Sequence, residues 1–220
     1  MLKSFITDIK DQPIFFKGYL LFLLVMSYLV SVYSKEDFTL MVNANWTSFQ
    51  DSFFRVITHF GDGVVALLII AVLAAFKWRY SIIAILCFGI SAGITQFLKR
   101  VVFEAERPLM HFWTEFHNGE MHSAIPVDDL MVKLSFPSGH ATSAFSIFFV
   151  LALLFRNKVF GLVFIILAIL ISYSRVYLGQ HYLEDIFAGA IIGGFISWLI
   201  YSFLNNRKWG SWSEKSLLKW

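Results

Sequence analysis

His181 and Asp185 stand four residues apart at the start of an apolar run. On a helix that spacing puts both side chains on one face. A carboxylate there holds one imidazole nitrogen and leaves the other able to attack. This is the orienter logic of a Ser-His-Asp triad, with histidine as the nucleophile. Arg175, six residues before His181, is a permanent cation whose forked donors suit phosphate oxygens. The stretch Phe136-Pro137-Ser138-Gly139-His140-Ala141 opens another apolar run. Proline, a cap-type serine and a flexible glycine stand there where a helix begins, and the free amides of such an end bind anions. Ser138 and the Gly139 amide can complete an oxyanion cradle, and His140 in the first turn is free to protonate a leaving oxygen. A third cluster, 99–108, adds Arg107 and a further cation, Lys99 or Arg100.

The chemistry these types imply is hydrolysis of a phosphomonoester or diphosphate in two steps. His181 attacks phosphorus and forms a phosphohistidine. His140 gives a proton to the leaving alcohol or phosphate, then takes one from the water that clears the intermediate. The cations stabilise the transferring group with no metal and no cofactor. Taken singly, a membrane-end cation is usually an anchor, a His-x3-Asp pair is often structural, and a Ser-Gly is a cap. Three such clusters at one depth argue for a site. Zinc held by His140, His181 and Asp185 is the rival chemistry, against which three cations would crowd the ion. A lipid-binding or transport protein would need a polar path across the bilayer, whereas the polar residues collect at one end. His111, His117 and His122 read as solvated loop residues, and Asp62 as part of a turn.

The frame that must position these groups is apolar. Of 220 residues, 58% are hydrophobic and 15% charged, with 25 phenylalanines. Several runs lack charge over nearly a bilayer span, which indicates a multi-pass membrane protein. The expected fold is all-α, a single domain over 1–220. Six transmembrane helices lie near 14–34, 64–76, 80–98, 138–155, 159–174 and 185–204. Within 38–60, Trp46, Phe49, Phe53, Ile57 and Phe60 recur at helical spacing, predicting an amphipathic helix on the membrane surface or, as an equal alternative, a short buried segment of the bundle. One long outer loop, 99–135, with Glu104, Glu106, Glu115, Glu120, Asp128 and Asp129, carries part of the active site. Gly89 and Gly93 suggest a face for close helix packing. Trp209, Trp212 and Trp220 suggest interface anchors.

The N-terminal run has no small-residue cleavage site and reads as a retained first helix, not a signal peptide. Cys87 is the single cysteine, which excludes a disulfide framework within one chain. The net charge of +3 comes without a basic stripe outside the loops, so no nucleic-acid partner is implied. Of eighteen Lys and Arg residues, eleven fall on the side of the termini: Lys3, Lys10, Lys17, Lys77, Arg79, Arg156, Lys158, Arg207, Lys208, Lys215 and Lys219. That side is expected to be cytoplasmic, with all three polar clusters outside.

Lys99 before Arg107-Pro108, then Pro137-Ser138-Gly139-His140, then Ser174-Arg175-x5-His181-x3-Asp185 resemble a tripartite signature. It is that of the type 2 phosphatidic acid phosphatase (PAP2) superfamily, which also holds the vanadium haloperoxidases and bacterial acid phosphatases. The resemblance spans 99–185, and the six-span frame extends it over most of the chain. The second and third motifs match at every defining position. The first departs, because the family usually leaves six residues between its lysine and Arg-Pro and Lys99 leaves seven. Arg100 has the family's spacing and Lys99 its residue type. Gly89, Gly93, Gln96 and Arg100 form one helical stripe, and Phe88, Ala92, Thr95 and Lys99 the next. The position is assigned to Lys99, with 101–106 leaving the helix as a loop that absorbs one residue. Arg107 is then extended before its proline, and Arg100 points to lipid headgroups or pairs with Glu104. The resemblance implies a metal-independent lipid phosphatase of the bacterial inner membrane, its site facing the periplasm. The implied partners are membrane lipids and a lipid-linked phosphate substrate. Undecaprenyl diphosphate is placed first, ahead of phosphatidate, phosphatidylglycerol phosphate and lipid A. A lipid phosphotransferase would use the same site.

Overall fold

The computed structural model describes residues 2–126 and 131–216, with side chains from residue 6. Asp128, Asp129, Lys219 and Trp220 lie outside the described residues. The apolar runs become helices, and no strand forms among the described residues. At the centre is α9, Gly139–Phe155, with twelve of its seventeen residues buried. A helix apolar on all sides belongs inside a bundle. Ser138 caps its start, and Arg156 ends it in the left-handed region. Around it pack α11 (Leu183–Asn205), α10 (Lys158–Tyr177) and α6 (Trp78–Phe97). The α2 helix (Pro13–Val32) closes the far side against α10 and α11, behind a short α1 (Leu2–Asp11).

Among the described residues four helices are long and apolar enough to cross a membrane: α2, α6 with its continuation to Phe103, α10 and α11. The helix α4 (Ser48–Ile57), its 3-10 extension Thr58–Gly61 and α5 (Gly63–Phe76) make a fifth if counted as one span bent by 55° at Asp62. All six expected apolar helices are present, but α5 and α9 fall short of a full span. Fourteen residues of α5 reach ~21 Å at ~1.5 Å per residue, against a ~30 Å hydrocarbon core.

Three expectations about the elements change. The run 38–60 is not one helix. It divides into α3 (Lys35–Asn43) and α4, with Thr47 capping α4 by accepting the Gln50 amide at 3.2 Å. Phe49, Val56 and Phe60 are exposed along the second part, while Asp51, Phe54 and Thr58 turn into the bundle. Nor do Gly89 and Gly93 mark a packing face. Both are exposed, and a Cβ at either would meet nothing within 4 Å. The close approach lies on α11, where a Cβ at Gly189 would sit 2.6 Å from the Ser138 carbonyl and one at Gly193 would press on that of Thr142. Backbone-to-backbone contact there lets α11 reach the first turns of α9.

The third change is at the end of α6. The helix does not give way to a loop after Arg100 but runs to Phe103 as a π-helix, Leu98–Phe103, and stops at Glu104 in the left-handed region. A π turn holds one residue more than an α turn. It absorbs the extra residue between Lys99 and Arg107 within the helix. The loop beyond has its own order. Short helices α7 (Pro108–His111) and α8 (Trp113–His117) fold over a cluster of Leu109, Phe112, Phe116 and Met121.

Candidate active site

The end of α10 turns back on itself. Gly179, at φ +65, supplies the left-handed residue of a Schellman cap. Its amide bonds to the Val176 carbonyl at 3.0 Å and that of Gln180 to Arg175 at 2.9 Å. The reversal carries Gln180 and His181 back over Arg175, and the His181 amide also donates to the Arg175 carbonyl, at 3.1 Å. His181 is 2% exposed. Its Nδ1 lies 3.1 Å from Asp185 Oδ2. That carboxylate oxygen, in the first turn of α11, also accepts the Tyr182 amide at 2.9 Å and the Ser135 hydroxyl. A carboxylate only accepts, so the network assigns the proton to Nδ1 and leaves the lone pair on Nε2. Burial, then the cations Arg107, Arg175 and Lys99, hold His181 well below the ordinary histidine range. The imidazole is therefore uncharged at physiological pH.

Two guanidinium groups share one amide. Gln180 Oε1 accepts from Arg107 Nη1 at 3.1 Å and from Arg175 Nη2 at 3.4 Å. Arg107 is extended, at φ −93 and ψ 164. It spends most of its donors on the chain: Nε to the Lys133 carbonyl (2.9 Å), Nη1 to that of Gln180 (2.8 Å), Nη2 to that of Leu134 (3.3 Å). Burial pushes it down to about 10, so it remains a cation. Arg175 gives Nη1 to Thr58 Oγ1 at 2.7 Å, and its buried Nε has no partner among the described residues. Lys99 is 6% exposed, with no hydrogen-bonding partner among the described residues. Arg100 is exposed and donates to Gln96 Oε1 at 3.1 Å, not to Glu104. Of the two α6 stripes, the one ending in Lys99 faces the bundle. A Thr95–Thr142 hydroxyl contact of 2.9 Å ties that face to α9.

The Ser138 amide donates to the Asp185 carbonyl at 2.9 Å, and its hydroxyl accepts the Ala141 amide at 3.5 Å. A Cβ at Gly139 would meet nothing within 4 Å, so space lies open at the positive end of α9. His140 has a partner that sequence reasoning assigned to a turn: its Nε2 is 2.9 Å from Asp62 Oδ1. His111 and His117 are exposed and lie against Phe112 and Trp113. His122 is not a solvated loop residue. It stacks on Trp46 at 3.8 Å, and its Nε2 is 3.0 Å from both Asp51 carboxylate oxygens, pinning the outer loop to α4.

Two hollows flank the cluster. One of about 420 Å³ lies beside Asp185, lined by Lys35, Glu106, His111, Tyr182 and Glu184 among others. A slot of about 220 Å³ between α5, α6 and α9 reaches His140 past Phe88, Ala92 and Gln96. Sequence reasoning missed Gln180, Ser135, Thr58 and Asp62. The first two adjoin motif residues and could have been found there. Thr58 and Asp62 lie far upstream and carry no local signal.

The architecture is an all-helical bundle with membrane-spanning helices, and one end of it gathers two histidine–carboxylate pairs among buried cations. The chain belongs to the PAP2 superfamily, whose family model matches residues 80–209. It is 47% identical over 66 residues to the lipid A 4'-phosphatase of Bacteroides thetaiotaomicron, covering 30% of this chain and 29% of that protein. It is 30% identical over 115 residues to the undecaprenyl-diphosphatase BcrC of Bacillus subtilis, covering 52% and 53%. The chain thus spans less than two thirds of the length of either relative. Among solved structures, the crystal structure of Aquifex aeolicus LpxE superposes with a TM-score of 0.65 at 25% identity, over 74% of this chain and 92% of that one.

Proposed function

We propose that the chain is a six-span lipid phosphatase of a bacterial inner membrane, with its site at the periplasmic end. Its substrate is a lipid-linked phosphomonoester or diphosphate. The observation that carries this is the Arg175 Nε, buried without a partner beside a neutral His181. An orphaned buried donor is destabilising by roughly 1–3 kcal/mol. A phosphate oxygen placed there removes that penalty, with Lys99 as a second cation not otherwise engaged.

His181 Nε2 attacks phosphorus. The bond from phosphorus to the leaving oxygen breaks with its electron pair, and that oxygen takes a proton from His140. Water then attacks the phosphohistidine and gives its proton to His140. The P–N bond breaks, its pair returns to Nε2, and inorganic phosphate leaves. Asp185 holds the imidazole throughout. Arg175, Lys99, Arg107, Ser138 and the Gly139 amide surround the equatorial oxygens. Against a zinc ion held by His140, His181 and Asp185 stand Arg107, Arg175 and Lys99, whose charges would crowd it.

Undecaprenyl diphosphate stands first among substrates, with Phe88 and Ala92 in the slot beside His140 as apolar contacts for the start of its lipid chain. Lipid A is the second reading, favoured by the larger hollow, where Glu106 and Glu184 beside Lys35 and His111 suit sugar hydroxyls and amides. Purified protein in EDTA is offered a panel of undecaprenyl diphosphate, lipid A, phosphatidate and phosphatidylglycerol phosphate. Vanadate-sensitive release of inorganic phosphate, fastest from undecaprenyl diphosphate, is expected. Activity lost in EDTA and restored by zinc overturns the metal-free mechanism.

A further inference from the structure

Asp62 lies outside the residues that the family model matches, 80–209, and precedes α5 at its N-cap position. An aspartate at that position ordinarily accepts amides of the helix it precedes. Asp62 makes no such bond. Its Oδ1 goes instead to His140 Nε2 at 2.9 Å, and its Oδ2 lies 3.2 Å from His59 Nδ1. The carboxylate is held at both oxygens and aimed across an element boundary at the proposed acid.

The backbone before it is fitted to the same imidazole. A Cβ at Gly61 would lie 2.6 Å from Ile171 Cγ2 and 3.1 Å from His140 Cδ2, so only glycine lets the chain pass this close. One turn earlier, Thr58 takes Arg175 Nη1 at 2.7 Å. Thr58, Gly61 and Asp62 thus reach two groups of the site from outside its three motifs.

We propose that Asp62 is the positioning residue of the acid–base histidine, and that Thr58–Asp62 forms a fourth part of the active site. This rests on the phosphatase reading above. The two histidines are then held alike through opposite nitrogens. Asp185 takes His181 Nδ1 and leaves Nε2 for phosphorus. Asp62 takes His140 Nε2 and leaves Nδ1 to exchange a proton with the leaving oxygen and then with water. Asp62 fixes the ring and its tautomer. It also balances the charge that His140 carries when protonated, which Arg175 and Arg107 oppose.

The test compares kcat/KM of full-length wild type, Asp62→Asn and Asp62→Glu on an alkyl phosphate, whose leaving group needs a proton, and on p-nitrophenyl phosphate, whose leaving group does not. Asp62→Asn is expected to lower the alkyl value about 100-fold and the aryl value less than about tenfold. Asp62→Glu recovers most of the loss, and vanadate inhibits the Asn variant as it does wild type. Equal losses on both substrates, no loss on either, or a vanadate affinity lost with the activity overturns the role. Wild type inactive on both substrates and on every lipid of the panel above overturns the phosphatase reading itself, and this inference falls with it.

Discussion

Between Lys99 and Arg100, residue type and spacing disagreed, and geometry separates them. Lys99 is buried with no competing partner, whereas Arg100 is exposed and bonded to Gln96. A cation in a dry site interacts with phosphate far more strongly than one in water. Lys99→Ala is therefore expected to lower kcat at least about 100-fold, and Arg100→Ala to change it less than about threefold, measured on one substrate. An inactive Arg100→Ala beside an active Lys99→Ala would show that spacing sets the register. Arg107 is a different kind of cation. Its donors to Gln180, Lys133 and Leu134 tie the outer loop to the end of α10, so its loss disturbs both charge and loop.

At the scale of elements, the helix boundaries explain what could be read in advance. The starts of α9 and α11 were legible because Ser138 and Asp185 are themselves motif residues, whereas α10, expected to end at 174, runs on to Tyr177 before Gly179 turns it back. The π turn Leu98–Phe103 was not, since nothing in Leu-Lys-Arg-Val-Val-Phe distinguishes a helix that gains a residue from one that ends. Small residues misled for a related reason. Gly89 and Gly93 keep the spacing of a packing face but look outward, while Gly189 and Gly193 meet α9. Which face turns inward is a tertiary property. Gly193→Ala forces a methyl group onto the Thr142 carbonyl and is expected to destabilise by about 1–3 kcal/mol. Gly93→Ala should be neutral or slightly stabilising. Thermal unfolding in detergent measures both, and equal shifts would refute the asymmetry.

Across the whole molecule, the groups proposed for catalysis meet at one end. Lys99 lies in the π-helical continuation of α6, Arg175 in the last turn of α10, and His140 and Asp185 in the first turns of α9 and α11. The opposite end carries Lys77, Arg79 and Arg156 with Glu214. The apolar runs and three motifs sufficed to anticipate this common depth. They could not anticipate Thr58 and Asp62, which reach the site only because the chain bends between α4 and α5. If the charge bias sets orientation, a cysteine beside His117 reacts with an impermeant thiol reagent in intact cells and one beside Lys158 does not. The native Cys87 is buried and should contribute little background. The reverse pattern would invert the topology.

The central claim is that phosphate passes through His181, and trapping it there is the most direct measurement. In His140→Ala a good leaving group departs without a proton, but the water that clears the intermediate lacks its base. With p-nitrophenyl phosphate, this variant is expected to release a burst of nitrophenol and to hold an acid-labile phosphate that mass spectrometry maps to His181. A burst with no phosphate on His181, or with phosphate on another residue, would contradict the account.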